Sequence, residues 1–293
     1  MNMEHKVVAL SGASGYLGSH ILSSLVSLGF RVLVFTRVKD AFYPKVGSDI
    51  LVYGITQKEI EKAFEDNHVQ AVIHTACEYG RSSYSYAQLI EGNVLLGCRL
   101  LDYAIFSGAK IFINTDTFLP KNVNDYALSK LQFVEWLKNA STKIWVANIR
   151  LELMYGEGDG SDKFVSGIIN KIKNNVPVIE MTLGIQKRDF IYISDVVSAF
   201  ISILECPSPD IGFEEYELGT GASITIRKFV EIIVDEFEKK YGSIKSRIDF
   251  GAIPYRSNEN MDVNVNIDKL RGIGWLPNVE PREGIRKIIE GLK

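Results

Sequence analysis

The chain has 293 residues, 46% of them hydrophobic and 24% charged, which is ordinary globular composition with apolar material for a large core. A formal net charge of −3 with both signs scattered argues against a nucleic-acid partner and against a basic membrane-binding face. No apolar run is long enough to span a bilayer, no signal-peptide pattern precedes the first strand, and Cys77, Cys98 and Cys206 lack metal or disulfide spacing, so a cytoplasmic protein without a metal site is expected.

In chain order, Lys6–Ser11 reads as a buried strand and Leu17–Leu28 as a helix, with Gly29 as its stop. Strands follow at Arg31–Phe35, Ile50–Tyr53, Ala71–His74 and Ile111–Asn114, with helical patterns at Ile60–Glu65 and Gln88–Phe106 between them. A helix over Tyr126–Lys138 and a sixth strand over Ile144–Ile149 complete the alternation. Short apolar strands alternating with helices predict an α/β fold, a Rossmann-like doubly wound parallel sheet. Beyond it the pattern is less regular. Gly156–Gly160 is a loop, and Phe164–Lys173, Val196–Leu204, Ile226–Lys239 and the stretch from Arg282 look helical, with a strand at Phe190–Ile193. A smaller, discontinuous C-terminal substrate domain is therefore expected. The predicted division is 1–155 with about 189–215 for a dinucleotide-binding domain, and 156–188 with 216–293 for the substrate.

Gly12, Gly15 and Gly18 form G-x-x-G-x-x-G between the first strand and the first helix. The first glycine permits a tight turn, the second lets backbone approach a pyrophosphate, and the third lets the helix pack closely on the strand. Ser14, Tyr16 and Leu17 lie in the same turn and share the expected cofactor contact. The second strand ends in Thr36-Arg37, with no acidic residue for the adenosine ribose. A guanidinium there suits a 2′-phosphate, which favours NADP(H) over NAD(H).

Tyr126 and Lys130, in YALSK, are four residues apart and share one helix face. A tyrosine with an ordinary pKa of ~10 becomes a better proton carrier beside an ammonium, which favours phenolate. Lys130 is also placed to bond a nicotinamide ribose. Upstream, a strand ends in Asn114-Thr115-Asp116-Thr117, where Thr115, or else Thr117, is expected to donate to a substrate carbonyl. His74, at a strand end, reads as packed or cofactor-adjacent rather than as a base.

With these residues together, the chain resembles the extended short-chain dehydrogenases/reductases that act on nucleotide-activated sugars. The likeness runs through His74-Thr75-Ala76, Asn93 in EGNVLLGCRLLDYA, Arg150 in RLELMYGEGDG, Arg188-Asp189 in QKRDFIYISDVV, and FGAIPYRSNE. It implies that Thr75, Ala76 and Asn93 line the cofactor. It also implies that Arg188, Arg256 and Glu259 serve a substrate carrying CDP or dTDP. Tyr79 and Arg81, after the fourth strand, are expected to contact sugar or nicotinamide or else to form a plain surface loop, and Thr117, Glu152 and Lys163 are expected on the substrate side. Related enzymes pair through the helices at Gln88–Phe106 and Tyr126–Lys138, so a homodimer is expected. Two departures stand out. Ten residues separate Thr115 from Tyr126 where the family usually has more, and Gly54-Ile55 stands where an aspartate often lies near the adenine.

Within this resemblance a dehydratase would carry threonine-aspartate-glutamate at the strand end, and Thr117 stands in the glutamate's place. A 4-epimerase would retain NAD and turn its sugar over. A dinucleotide-sensing regulator would be expected to lose the tyrosine or the lysine. The preferred expectation is an NADPH-dependent reductase of the C4 ketone of a nucleotide-linked 4-keto-6-deoxyhexose, 3-deoxy or not.

Overall fold

A computed structural model of the chain describes residues 6–39, 47–80, 84–207, 209–256 and 259–292. Strand β1 (Val7–Ser11) leads through the glycine turn into α1 (Tyr16–Ser27), then β2 (Arg31–Phe35), β3 (Ile50–Tyr53), α2 (Gln57–Glu65) and β4 (Val69–His74). The helical stretch that follows has three parts, α3 (Tyr86–Ile90), a π-helical turn (Glu91–Leu95) and α4 (Leu96–Ser107). Next come β5 (Ile111–Thr117), α5 (Asp125–Ala140), β6 (Trp145–Leu151), β7 (Leu153–Tyr155), α6 (Phe164–Lys173), β8 (Val178–Met181), β9 (Lys187–Arg188) and β10 (Phe190–Tyr192). The chain closes with α7 (Ile193–Glu205), β11 (Gly212–Leu218), β12 (Ile224–Thr225), α8 (Ile226–Tyr241), β13 (Arg247–Phe250), α9 (Asp268–Gly272) and α10 (Pro281–Glu290).

The main sheet has the order β11-β6-β5-β4-β1-β2-β3, with parallel pairing from β3 through β6. Strands covered on both faces must be apolar throughout, and Val8, Ala9, Leu10, Val32, Leu33, Val72 and Ile73 are almost completely buried. The order reverses between β1 and β4, which makes their tips the switch point where a doubly wound sheet takes its ligand.

The register levels the strand tips. Ser11 lies opposite both Phe35 and His74, His74 opposite Asn114, and Asn114 opposite Asn148. All four polar members of this row are fully buried. Buried polar groups need partners, and the row supplies them, with Ser11 Oγ bonded to His74 Nδ1 at 2.7 Å and Asn114 Nδ2 donating to Asn148 Oδ1 at 2.8 Å. The apolar core of the sheet thus ends in a polar seam, and the residues just beyond it form the candidate site.

Contacts divide the chain into two units, 1–151 with 197–216, and 152–196 with 217–293. The second unit has its own core, an aromatic stack of Phe164, Phe190, Phe229 and Tyr155, with two small parallel pairs (β7 with β10, β8 with β13) and one antiparallel pair (β9 with β12). Among the described residues no helix is long and apolar enough to cross a membrane, and no cluster of side chains suits a metal ion.

Candidate functional site

The glycine turn is fixed by close packing. Gly12 has φ +80°, and a Cβ on it would meet Ala76 N at 2.5 Å and Thr75 Oγ1 at 2.6 Å. A Cβ on Gly18 would drive into the Gly12 carbonyl, and one on Gly15 would reach that same oxygen at 3.2 Å. Thr75 laces the β1 and β4 tips together, donating from N at 3.2 Å and from Oγ1 at 2.8 Å to the Ser11 carbonyl. Helix α1 opens on Gly15 with no capping side chain and no acidic residue in its first turn. Its leading N–H groups and positive dipole end are therefore left for an anion. These features fit a dinucleotide pyrophosphate, with Gly12, Ser14, Gly15, Tyr16, Leu17 and Gly18 around it.

At the tip of β2, Arg37 is 72% exposed and sits 3.7 Å from Glu78, a contact loose enough for a phosphate to displace. Beyond β3, the Glu59 carboxylate packs on Gly54, filling the space a side chain at 54 would need, and pairs with Lys39.

Helix α5 begins where it does because Asn124 caps it, its Oδ1 accepting from Ala127 N at 2.8 Å. With β5 running on to Thr117, the loop before that cap is only residues 118–123. Tyr126 therefore falls in the first turn of α5 and Lys130 one turn later, 2% exposed. The Tyr126 ring lies against that of Tyr79, with centroids 5.1 Å apart and planes 33° from parallel. Burial pushes the Tyr126 phenol well above the ordinary range, and Cys77, Tyr79 and Asp116 add to the shift. Desolvation of the phenolate acts against the depression expected from Lys130. Burial likewise lowers the Lys130 ammonium, with Cys77 and Asp116 opposing.

Thr115 Oγ1 is shielded from solvent and has no hydrogen-bond partner among the described residues. Thr117 Oγ1 accepts from Leu119 N at 3.2 Å, as a turn-capping threonine does. Asp116 points to the α5 face, where its two oxygens accept from Thr117 N at 2.8 Å and Asn148 Nδ2 at 3.1 Å. His74 is held neutral, pushed down to about 3 by burial and then by Lys130, and packs on Phe112 and Phe133.

Asn93, expected at the cofactor, is engaged elsewhere. The π-helical turn aims its amide inward, where Oδ1 accepts from Glu78 N and Nδ2 donates to Glu78 O and Ser129 Oγ. Ser129, inside the YALSK segment, is a member that the sequence reading missed, although its i+3 spacing from Tyr126 was the available signal.

In the second unit Arg188 pairs with Glu259 rather than with Asp189, and donates at 2.7 Å to the carbonyls of Lys187 and Asn260. Asp189 is fully buried and accepts from Thr220 N, Thr220 Oγ1 and Gly221 N instead; burial raises its carboxyl, with these bonds opposing. Arg256 is exposed and pairs with no acidic side chain among the described residues, while Lys163 immediately precedes α6 and Glu152 N donates to Leu218 O. Arg81 lies outside the described residues. A cavity of about 220 Å³ beneath α5 is bounded by Asp116, Thr117, Leu131, Arg150 and Glu215 and does not include Tyr126. Another, of about 290 Å³ near the ends of α6 and α8, contains none of the expected site residues.

A dinucleotide turn at β1, an active-site-like tyrosine–lysine pair on α5 and the 3-2-1-4-5-6 strand order occur together in one family, whose model, described as the NAD dependent epimerase/dehydratase family, matches residues 8–219. The chain belongs to that family. It is accordingly an NAD(P)-dependent oxidoreductase of the extended short-chain dehydrogenase/reductase kind. It is 33% identical to CDP-abequose synthase of Salmonella typhimurium over 303 residues, covering all of both chains. It is 25% identical to dTDP-4-dehydro-6-deoxyglucose reductase of Escherichia coli, covering 100% of this chain and 99% of that one. Among solved structures, the UDP-glucose 4-epimerase of Thermotoga maritima superposes with a TM-score of 0.81 at 20% identity, covering 97% of each, which shows a shared family fold.

Proposed function

We propose that this chain reduces the C4 ketone of a nucleotide-activated 4-keto-6-deoxyhexose, 3-deoxy or not, with NADPH. The observation that carries this reading is the Tyr126–Lys130 pair one turn apart on α5, with Lys130 buried, together with a β5 end that holds threonine where elimination would need a glutamate. A reductase needs an acid that carries its proton at neutral pH, and a phenol supplies one. The full-length likeness to CDP-abequose synthase supports the same direction of reaction and a CDP- or dTDP-linked substrate.

A bound dinucleotide would supply the hydride. The turn from Gly12 to Gly18 would hold its pyrophosphate, Arg37 its 2′-phosphate, and Thr75, Ala76 and Lys130 its nicotinamide end. Tyr126 donates its proton to the C4 oxygen, and Thr115 donates a hydrogen bond to that oxygen. Thr117 and Glu152 are assigned to the sugar, Lys163, Arg188 and Arg256 to the nucleotide diphosphate, and Glu259 to its ribose. Arg188 brings little net charge because Glu259 neutralises it, so Arg256 carries more of the phosphate attraction. The exposed Ile90, Leu95, Phe106, Leu128 and Trp136 on α3–α4 and α5 support a homodimer.

The test is incubation with NADPH and a panel of CDP- and dTDP-linked 4-keto-6-deoxyhexoses, following NADPH absorbance and fixing the C4 configuration of the product by NMR. Tyr126→Phe is expected to lower kcat by about 10²–10⁴-fold with NADPH affinity nearly intact, the range for loss of a positioned acid. Wild-type turnover in that variant would remove the assignment. Isomerisation of a sugar nucleotide without net NADPH loss would instead indicate an epimerase, and binding of NADPH with no ketone reduced would indicate a regulator.

A further inference from the structure

We propose that Tyr79 is a positioning residue for Tyr126, held over its ring by a closed clamp that runs through Asn93 and Ser129. The inference rests on the reading of Tyr126 as the proton donor.

The clamp can be followed bond by bond. Ser129 Oγ donates to the Tyr126 carbonyl at 2.8 Å and accepts from Asn93 Nδ2 at 2.8 Å. The same amide donates to Glu78 O at 2.8 Å, while Asn93 Oδ1 accepts from Glu78 N. Both backbone groups of Glu78 are therefore fixed by one side chain. The next residue is Tyr79, whose ring returns to Tyr126 and closes the loop.

Asn93 is fully buried and Ser129 nearly so, and both Asn93 donors have acceptors. A satisfied polar network in a buried setting rigidifies what it joins. Asn93 can reach across because it sits in the π-helical turn, a local expansion that re-aims side chains and is frequent at functional sites. Gly92 permits the approach, since a Cβ there would press on Glu78 Cβ at 3.2 Å.

The consequence falls on the Tyr126 ring, which stands in the first turn of α5, where helix ends fray and a tyrosine can change rotamer. An offset aromatic stack favours one ring position by about tenfold, on the scale of aromatic pair energies. Tyr79 is itself 42% exposed, and the backbone immediately before it is fixed by the clamp. Tyr79 also shields the phenol from water, consistent with its part in keeping Tyr126 protonated.

Tyr79→Ala is expected to lower kcat about tenfold, leaving the NADPH dissociation constant unchanged and KM within about twofold, and to move the alkaline limb of the kcat profile to lower pH. Tyr79→Phe keeps the ring and should stay within about threefold of wild type. Ser129→Ala cuts the clamp at another link; its loss and that of Tyr79→Ala should combine to less than their product, as residues acting through one device do. A rise in KM alone, or fully multiplicative losses, would overturn the proposal. A measurement independent of turnover is the ¹⁹F NMR signal of fluorotyrosine at position 126, assigned with Tyr126→Phe. One ordered resonance is expected in the wild type and a shifted or exchange-broadened one in Tyr79→Ala. An unchanged signal would refute the clamp even if the substrate assignment were right, and a changed one would uphold it even if no ketosugar were reduced.

Discussion

His74 makes a prediction whose size follows from its burial. Its imidazole is fully enclosed and held at about 3, against an ordinary value of 6.5, by desolvation first and the Lys130 ammonium second. The unfolded chain therefore takes up a proton below 6.5 that the folded chain refuses until about 3. The stabilising contribution is complete above 6.5 and is lost as pH falls toward 3. At about 1.4 kcal/mol per pKa unit, moving from about pH 7 to about pH 5 should cost the fold about 2 kcal/mol through this one group. His74→Gln removes the titration while keeping a group that can bond Ser11 Oγ. Urea unfolding of both proteins at each pH isolates the effect, since every other titrating group is common to them. The free-energy gap between variant and wild type should shift in favour of the variant by about 2 kcal/mol on acidification. A gap that did not change with pH would mean that folded His74 accepts its proton freely, and the polar seam would then be open to water. The point bears on function, because a charged His74 would stand beside Lys130 and drive that ammonium further down.

Other expectations follow from the cofactor turn and the helix faces. Gly18→Ala should abolish NADPH binding or reduce it at least about 100-fold, because its methyl meets backbone that cannot yield; a dissociation constant within a few-fold of wild type, measured by fluorescence, would contradict the packing. Arg37→Ala should weaken NADPH about tenfold and leave NADH nearly unchanged, the loss of one charge-assisted contact; equal losses for both would take Arg37 away from the 2′-phosphate. Trp136→Glu, on the exposed face of α5, should convert a dimer to a monomer in sedimentation equilibrium; an unchanged mass would clear that face of an interface role.

The elements most legible in the sequence were those with a single strong physical signal. β2 and β3 fall on the residues expected because they are unbroken apolar runs, and α6 because its apolar spacing is clean. The glycine turn was legible because only glycine tolerates its contacts. Strand β11, the seventh of the main sheet, was missed: GFEEYEL alternates acidic and apolar residues and reads as surface, yet pairing with β6 gives it a place in the main sheet. The short pairs β8 with β13 and β9 with β12 were missed because strands of four and two residues carry too few positions to show a period. At the site, Tyr126 and Lys130 were found by spacing. Asn93 was found, but its bonds to Glu78 and Ser129 were not, because they depend on a π-helical turn that helical periodicity does not announce. Arg188, expected at the nucleotide diphosphate, turns away from its neighbour Asp189, as successive residues of an extended segment do, and meets Glu259 across the chain, a partner that spacing does not announce.

The same alternation governs the choice between elimination and reduction on this frame. Along β5, Asn114 and Asp116 point the same way, as their common partner Asn148 shows. Asp116 is thereby tied down by two donors, and position 117, where a dehydratase would carry its glutamate, holds a hydroxyl capping a turn. Removing water from a sugar needs a base for the carbon-bound proton as well as an acid for the departing hydroxyl. With no carboxylate at 117 the base is missing, whereas reduction asks only for a donor to the carbonyl oxygen. Tyr126 can make that donation, because a phenol carries its proton at neutral pH. The strand end is thus what separates reduction from elimination on this frame.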